Sequence, residues 1–146
     1  MDALKDGSCW VLRLDKDEDL FSTLESWAEE EDITLGQVSG IGALKNIELG
    51  FYHLRDKKYE RKKFPKEAEL LSLQGNISLF NEKPFFHLHA VLGDENYCAF
   101  GGHLFKADIA VTLEIYIRPF SGRAAREPNH EVGLNLLNFC KMEKNT

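Results

Sequence analysis

Apolar positions along the 146-residue chain recur in two rhythms, and the shorter one dominates. In "KDEDLFSTLESWAEEED" the residues Leu20, Phe21, Leu24, Trp27 and Ala28 fall at i, i+1, i+4, i+7 and i+8, one face of a helix. This predicts a long helix over 17–31, capped by Asp15 or Asp17, with an acidic first turn suited to the helix dipole. Nearly everything else alternates with a period of two or reads as a turn. "CWVLRL" (9–14) predicts an opening strand, and "ITLGQVSGIGAL" a strand that runs into a tight turn at Gly36, Gly40 and Gly42. "NIELGFYHL" sets Ile47, Leu49 and Phe51 against Glu48, Gly50 and Tyr52, a half-buried strand, and "KKYERKKF" follows as a charged, exposed one. Further strands are expected at 68–80, 84–92, 97–105 and 107–120, with turns at Asn81 to Lys83 and Gly93 to Glu95. "SGRAAREPNH" reads as a loop, 131–140 as a short closing element of either type, and 141–146 as a frayed tail. The pattern describes an α+β fold: one domain over 1–146, with a curved, mainly antiparallel sheet and one long helix packed against it.

Composition narrows the function. The formal net charge of −6 suits the phosphate backbone of nucleic acid poorly, because sequence-independent binding rests on Lys and Arg. Cys9, Cys98 and Cys140 are widely spaced with no C-x-x-C pair, so they predict reduced, mostly buried thiols rather than a disulfide framework or a thiolate zinc site. No basic start followed by an apolar segment opens the chain, and no apolar run reaches the length of a membrane span. A soluble, cytoplasmic protein without membrane contact is expected.

Chemistry enters through histidine. "PFFHLHAVL" places His87 and His89 on one face of a strand with Phe85 and Val91, their Cα atoms roughly 7 Å apart. His103 follows in "FGGHLF", where two glycines leave room for a neighbouring strand. If a hairpin at "GDEN" joins these segments, three imidazoles meet on one patch. Three histidines form a recurring zinc site, with a fourth position left for water or an acid oxygen. His53 and His130 have no partner at short spacing and read as surface groups or as supports behind the metal ligands. Glu69 shares a strand face with Leu71 and Leu73, an odd place for a carboxylate. It is the candidate for a general base, or for the acceptor behind a metal-bound imidazole. Glu114 lies with Thr112, Tyr116 and Arg118, opposite Val111, Leu113, Ile115 and Ile117, and reads as a salt-bridging group on the polar face. The run Lys57, Lys58, Arg61, Lys62, Lys63 reads as a solvated edge strand whose lysines deter edge-to-edge pairing. "SGIGAL" lacks the spacing, the helix and the distant acid of a dinucleotide fingerprint.

Taken in order, "SGIGALKNIELGFY", "ELLSLQGNIS", "PFFHLHAVL", "GGHL" and "VTLEI" resemble the PPC domain (plants and prokaryotes conserved domain) over about residues 8–137. The resemblance implies a curved antiparallel sheet, assembly as a homotrimer, and a metal at the positions of His87, His89 and His103. In plants the domain accompanies an AT-hook and is described as DNA-binding for that reason. This chain has no R-G-R-P core, since "SGRAAREP" lacks the flanking basic residues and the proline after the second arginine, so the group that enters the minor groove is missing. A cupin barrel is the rival fold, with Asp94 in place of its usual glutamate, but the amphipathic helix and the lack of a second cupin motif oppose it.

Two function classes follow. One is a zinc-binding (Zn2+) assembly protein with a structural or regulatory metal. The other is a hydrolase-like enzyme acting through a metal-bound water. DNA binding survives only through the family name. Apolar residues on both strand faces, as in "ADIAVTLEIYI", exceed what one helix can cover and favour the homotrimer.

Overall fold

Two long strands carry the sheet. In the computed structural model, which describes residues 1–139, β3 (Gly36–His53) and β7 (Ala99–Pro119) run antiparallel from the pair Gly36–Pro119 to the pair Gly50–His103. β5 (Ala68–Phe80) pairs with the first part of β3, and β6 (Lys83–Gly93) folds back on β5 through the turn at Asn81 and Glu82. The end of β6 then pairs with the start of β7, from His89–His103 to Gly93–Ala99. Strands β3, β5, β6 and β7 therefore close into a ring, which is how the predicted sheet curls on itself. Alternate side chains fill the interior: Leu73 and Ile77 of β5, Leu88 of β6, Leu113 and Ile115 of β7, all fully buried.

Shorter strands extend the sheet. β2 (Cys9–Asp15) lies along β7, and β1 (Asp2–Asp6) along β2, so the N-terminal stretch, which shows no clear periodicity, is also a strand. β4 (Lys58–Phe64) pairs with β3 as the predicted exposed strand. β8 (Ala124–Asn129) and β9 (Leu134–Phe139) form a hairpin attached to β5 by one parallel bridge, Leu79–Ala125. The expected loop over 121–130 is thus corrected to a strand at 124–129, and the closing element is a strand. The tail 141–146 and Cys140 lie outside the described residues.

The helix α1 (Leu20–Glu30) is shorter than predicted. Asp17 adopts φ 71°, donates its amide to the Ile109 carbonyl at 2.9 Å, and pairs its carboxylate with Lys45, so helical backbone cannot start there. Asp15 instead meets the N-terminal ammonium at 2.9 Å. Asp19 is the N-cap, accepting from the Ser22 amide at 2.9 Å, and the first turn carries no acidic residue. The predicted face is the buried one: Leu20, Leu24, Trp27 and Ala28 pack on the core, and truncating Leu24 to Ala would cost about 2 to 5 kcal/mol.

The glycine turn expected after Gly36 does not occur. β3 runs straight through, with a bulge between Gly40 and Gly42. A Cβ at Gly40 would stand 2.7 Å from the Glu114 carbonyl oxygen, so the glycine serves close approach of β7 rather than a reversal. Likewise 97–105 and 107–120, read as two strands, are one, because irregularities in the β3–β7 register absorb the break in alternation. Those irregularities also turn Val111 outward, 68% exposed, where alternation had put it with Leu113. Phe51, expected inside with Leu49, keeps that strand face, since the register is unbroken from Leu49 to Phe51, but is 68% exposed because it lies past the last buried position near the end of β3. Cys9 and Cys98 are exposed rather than buried: Cys9 opens β2 at the sheet's end, and Cys98 closes a turn in which the Asp94 carboxylate accepts from its amide at 2.9 Å. No helix among the described residues is long and apolar enough to cross a membrane.

Candidate metal centre

The outer face of β6 carries Phe85, His87, His89 and Val91, while Phe86, Leu88 and Ala90 point into the core. His89 stands directly opposite His103 of β7, with Gly102 opposite Ala90 and Gly101 opposite Val91. A Cβ at Gly101 would overlap the Ala90 carbonyl oxygen, so the glycine is what lets β7 approach closely enough to deliver His103. The room expected of "GGH" is used in this way.

The three rings form a nearly regular triangle. Ring centroids lie 5.1 Å apart for His87 and His89, 5.0 Å for His87 and His103, and 5.3 Å for His89 and His103. One ligand nitrogen from each lies within 4.8 Å of the others, and the Nε2 atoms of His87 and His89 are 3.3 Å apart. Two nitrogens bound to one tetrahedral zinc at about 2.0 to 2.1 Å would be about 3.3 Å apart, so this pair already has the required separation. The third imidazole has to close in slightly.

The surroundings disfavour protonation of His87 and His103. Burial pushes His87 down to about 4, helped by the positive charge of Arg126 and by His89. His103 is also pushed down to about 4, first by burial, then by His87, His89, Arg61 and Arg126. His103 packs between Tyr59, at 5.1 Å, and Phe105, at 4.4 Å, and the Arg61 guanidinium covers Phe105 at 3.7 Å. Its Nδ1 is buried without a hydrogen-bond partner, an orphan that the chain itself does not satisfy. The donor set and this orphan fit a divalent metal.

Other predicted groups fall elsewhere. Glu69 is exposed and pairs with Gly93, at the far end of β6 from His87, so the fold does not bring it to the histidines. A bulge between Leu70 and Ser72 turns Leu71 outward beside Glu69 and returns Leu73 to the core, which removes the oddity that had singled out this carboxylate. Glu114 is exposed opposite Arg13, whose guanidinium instead meets Asp2 and Asp15. His53 bonds Glu60 at 2.9 Å on the surface, His130 is exposed, and Asp94 organises its turn.

One residue at the site went unread in the sequence. Arg126 of β8 donates to Ser78 Oγ at 3.0 Å, to Asn76 Oδ1 at 3.0 Å and to the Asn135 carbonyl at 3.2 Å, and its guanidinium lies 5.1 Å from the Phe85 ring. Asn76 is the cross-strand partner of His87. A loop over 121–130 gives Arg126 no place beside the histidines, and the only local signal is the second arginine of "GRAAREP".

A model of the Plants and Prokaryotes Conserved (PCC) domain matches residues 1–121, from β1 to the end of β7. Among solved structures, the chain is similar to a Bacteroides thetaiotaomicron protein provisionally described as DNA-binding, at 31% identity and TM-score 0.90, covering 94% of this chain and 96% of that one. It is similar to a metal-containing protein from Archaeoglobus fulgidus at 36% identity and TM-score 0.85, covering 92% and 95%. A plant- and prokaryote-conserved (PPC) protein from Pyrococcus horikoshii is 31% identical with TM-score 0.84, covering 93% and 94%. Comparison with curated proteins gave no match. The motif order, the ring of strands and these matches agree: the chain belongs to the Plants and Prokaryotes Conserved domain family.

Proposed function

We propose that the protein binds one divalent metal ion, zinc in the first place, on His87, His89 and His103, in a structural or regulatory role within a homotrimer. The observation that carries this reading is the 3.3 Å between the Nε2 atoms of His87 and His89, with a nitrogen of His103 within 4.8 Å of both. Burial that disfavours protonation supports it, since only neutral imidazole binds metal. The description of the A. fulgidus relative as metal-containing supports it too. When bound, zinc supplies a fixed positive charge and a coordination position for an oxygen ligand. The chain's part is positional: β6 presents two imidazoles, β7 the third, and Tyr59 and Phe105 hold His103 in place.

The trimer reading draws on the apolar side chains that the single chain leaves on the outside of its sheet, Phe51, Leu71, Val91 and Val111 among them. The hydrolase-like alternative would need a proton acceptor beside the histidines, and the carboxylate first considered, Glu69, stands away from them. A DNA-binding role has the description of the B. thetaiotaomicron relative behind it and this chain's net charge of −6 against it.

Elemental analysis of protein purified without a histidine tag tests the reading. One equivalent of zinc per chain is expected. Metal-free protein that takes up no divalent ion from a zinc-buffered solution would overturn it.

A further inference from the structure

Arg126 is a half-buried cation placed beside a cation site. Among the described residues no carboxylate lies within ion-pair distance of it, and its partners, Ser78, Asn76 and the Asn135 carbonyl, are all neutral. Taking a charge partly out of water without a counter-charge is costly, and proteins ordinarily pair such groups. The His cluster contains no acid either. A divalent ion on the histidines would add two positive charges near a third, with nothing in the chain to offset them. Ser78, which anchors Arg126, is itself fully buried, so the guanidinium is held in a built position rather than swinging free.

Register places that guanidinium on the same face as the imidazoles. Asn76 faces His87 across β5 and β6, and Ser78 faces Phe85. An arginine has five N–H donors, of which these contacts use three, leaving one on each terminal nitrogen uncommitted and able to donate to a carboxylate or phosphate oxygen.

We propose that Arg126, anchored by Asn76 and Ser78, is the anion-holding arm of the three-histidine site, which takes a small molecule through an oxyanion group, carboxylate or phosphate. This rests on the metal reading above. The oxyanion completes the charge balance between guanidinium and metal face, and Phe85 and Tyr59 supply aromatic walls beside it. The strand that carries Arg126 and its hairpin partner lie beyond the residues matched by the family model.

The test is calorimetric titration of the full chain with inorganic phosphate and, separately, with acetate, with zinc content measured in parallel. Zinc-loaded protein should bind at least one of the two, and the tighter one assigns the group. Arg126→Gln should weaken that binding roughly tenfold or more while leaving zinc content unchanged, as expected for loss of a charged hydrogen-bond donor. Should Arg126→Gln fail to fold, Asn76→Asp carries the test. It supplies the missing carboxylate from within, and should abolish anion binding while raising the melting temperature. Equal binding by wild type and a folded Arg126→Gln, or no binding of either anion to zinc-loaded wild type, overturns the proposal with the metal reading intact. Protein that holds no zinc overturns the metal reading. In that case an Arg126-dependent response to phosphate or acetate still upholds the anion arm, and its absence overturns both.

Discussion

His89 and His103 stand directly opposite each other on β6 and β7, their ring centroids 5.3 Å apart and their planes crossed at 84°. Thirteen residues of turn and glycine-bearing strand separate them in the chain, yet the register makes them a cross-strand pair. His87, two residues before His89 and on the same face, completes the triangle. The site thus depends on one hairpin and its register.

Removing single imidazoles should remove the metal. His87→Ala, His89→Ala and His103→Ala are each expected to drop zinc from one equivalent to a small fraction, since two remaining nitrogens cannot fill a tetrahedral shell. Elemental analysis after dialysis reads this directly. Full retention in all three variants would place the metal elsewhere.

Gly101→Ala should act at a distance on the same readout. The added Cβ overlaps the Ala90 carbonyl oxygen, so β7 must shift from β6 and carry His103 away from His89. A loss of about 1 to 3 kcal/mol in stability is expected, with weakened zinc affinity. Urea unfolding and a competitive zinc chelator measure the two effects. Unchanged values for both would show that the strand pair tolerates a side chain there.

Acid should destabilise the metal-free protein through His87 and His103. Both are held down to about 4 in the fold against 6.5 for the free side chain, so between those values the unfolded chain binds more protons than the folded one. Stability rises with pH across that window. It is therefore present above about 6.5 and lost as pH falls through about 4, on the order of 1 kcal/mol for each ring after solvent screening is allowed for. Bound zinc should be released over the same fall in pH, because protonation competes with coordination. Urea midpoints and zinc content from about pH 8 to about pH 4 check both; a flat stability profile for the metal-free protein, steepened by no histidine, would contradict the burial described.

Duplex DNA should bind no better than non-specifically, with Kd of about 10⁻⁴ to 10⁻⁶ M at physiological salt. The positive run from Lys57 to Lys63 is partly occupied already, since Arg61 pairs with Glu48 at 3.1 Å and Lys57 donates to the His130 carbonyl at 2.8 Å. Gel-shift titration would show it. A nanomolar complex lost on Lys58→Glu with Lys62→Glu would reverse this expectation.

Three chains per particle are expected by light scattering on dilute protein. Phe51 and Val111, each 68% exposed in the single chain, should then resist exchange with solvent at their backbone amides. A monomer at micromolar concentration would remove the trimer and any wall a neighbour supplies.

Much of this could be read from local periodicity, because strand and helix fix which side chains share a face irrespective of the rest of the fold. Alternation alone put His87 and His89 together, and the spacing of Leu20, Leu24 and Trp27 defined the buried side of α1. Paired glycines before His103 announced a close strand. Tertiary pairing decided the rest. Bulges at Leu70–Ser72 and along β3–β7 shift alternation by whole residues, which turned Leu71 and Val111 outward and left Glu69 an ordinary exposed carboxylate. No local pattern marks such a shift, because a bulge is set by the partner strand's register. Arg126 reaches the site because the C-terminal hairpin joins β5 through the parallel bridge Leu79–Ala125 and the bonds from Arg126 to Ser78 and Asn76, contacts between residues far apart in the chain. Periodicity fixed the faces of β6 and α1; long-range register decided what stands next to the histidines.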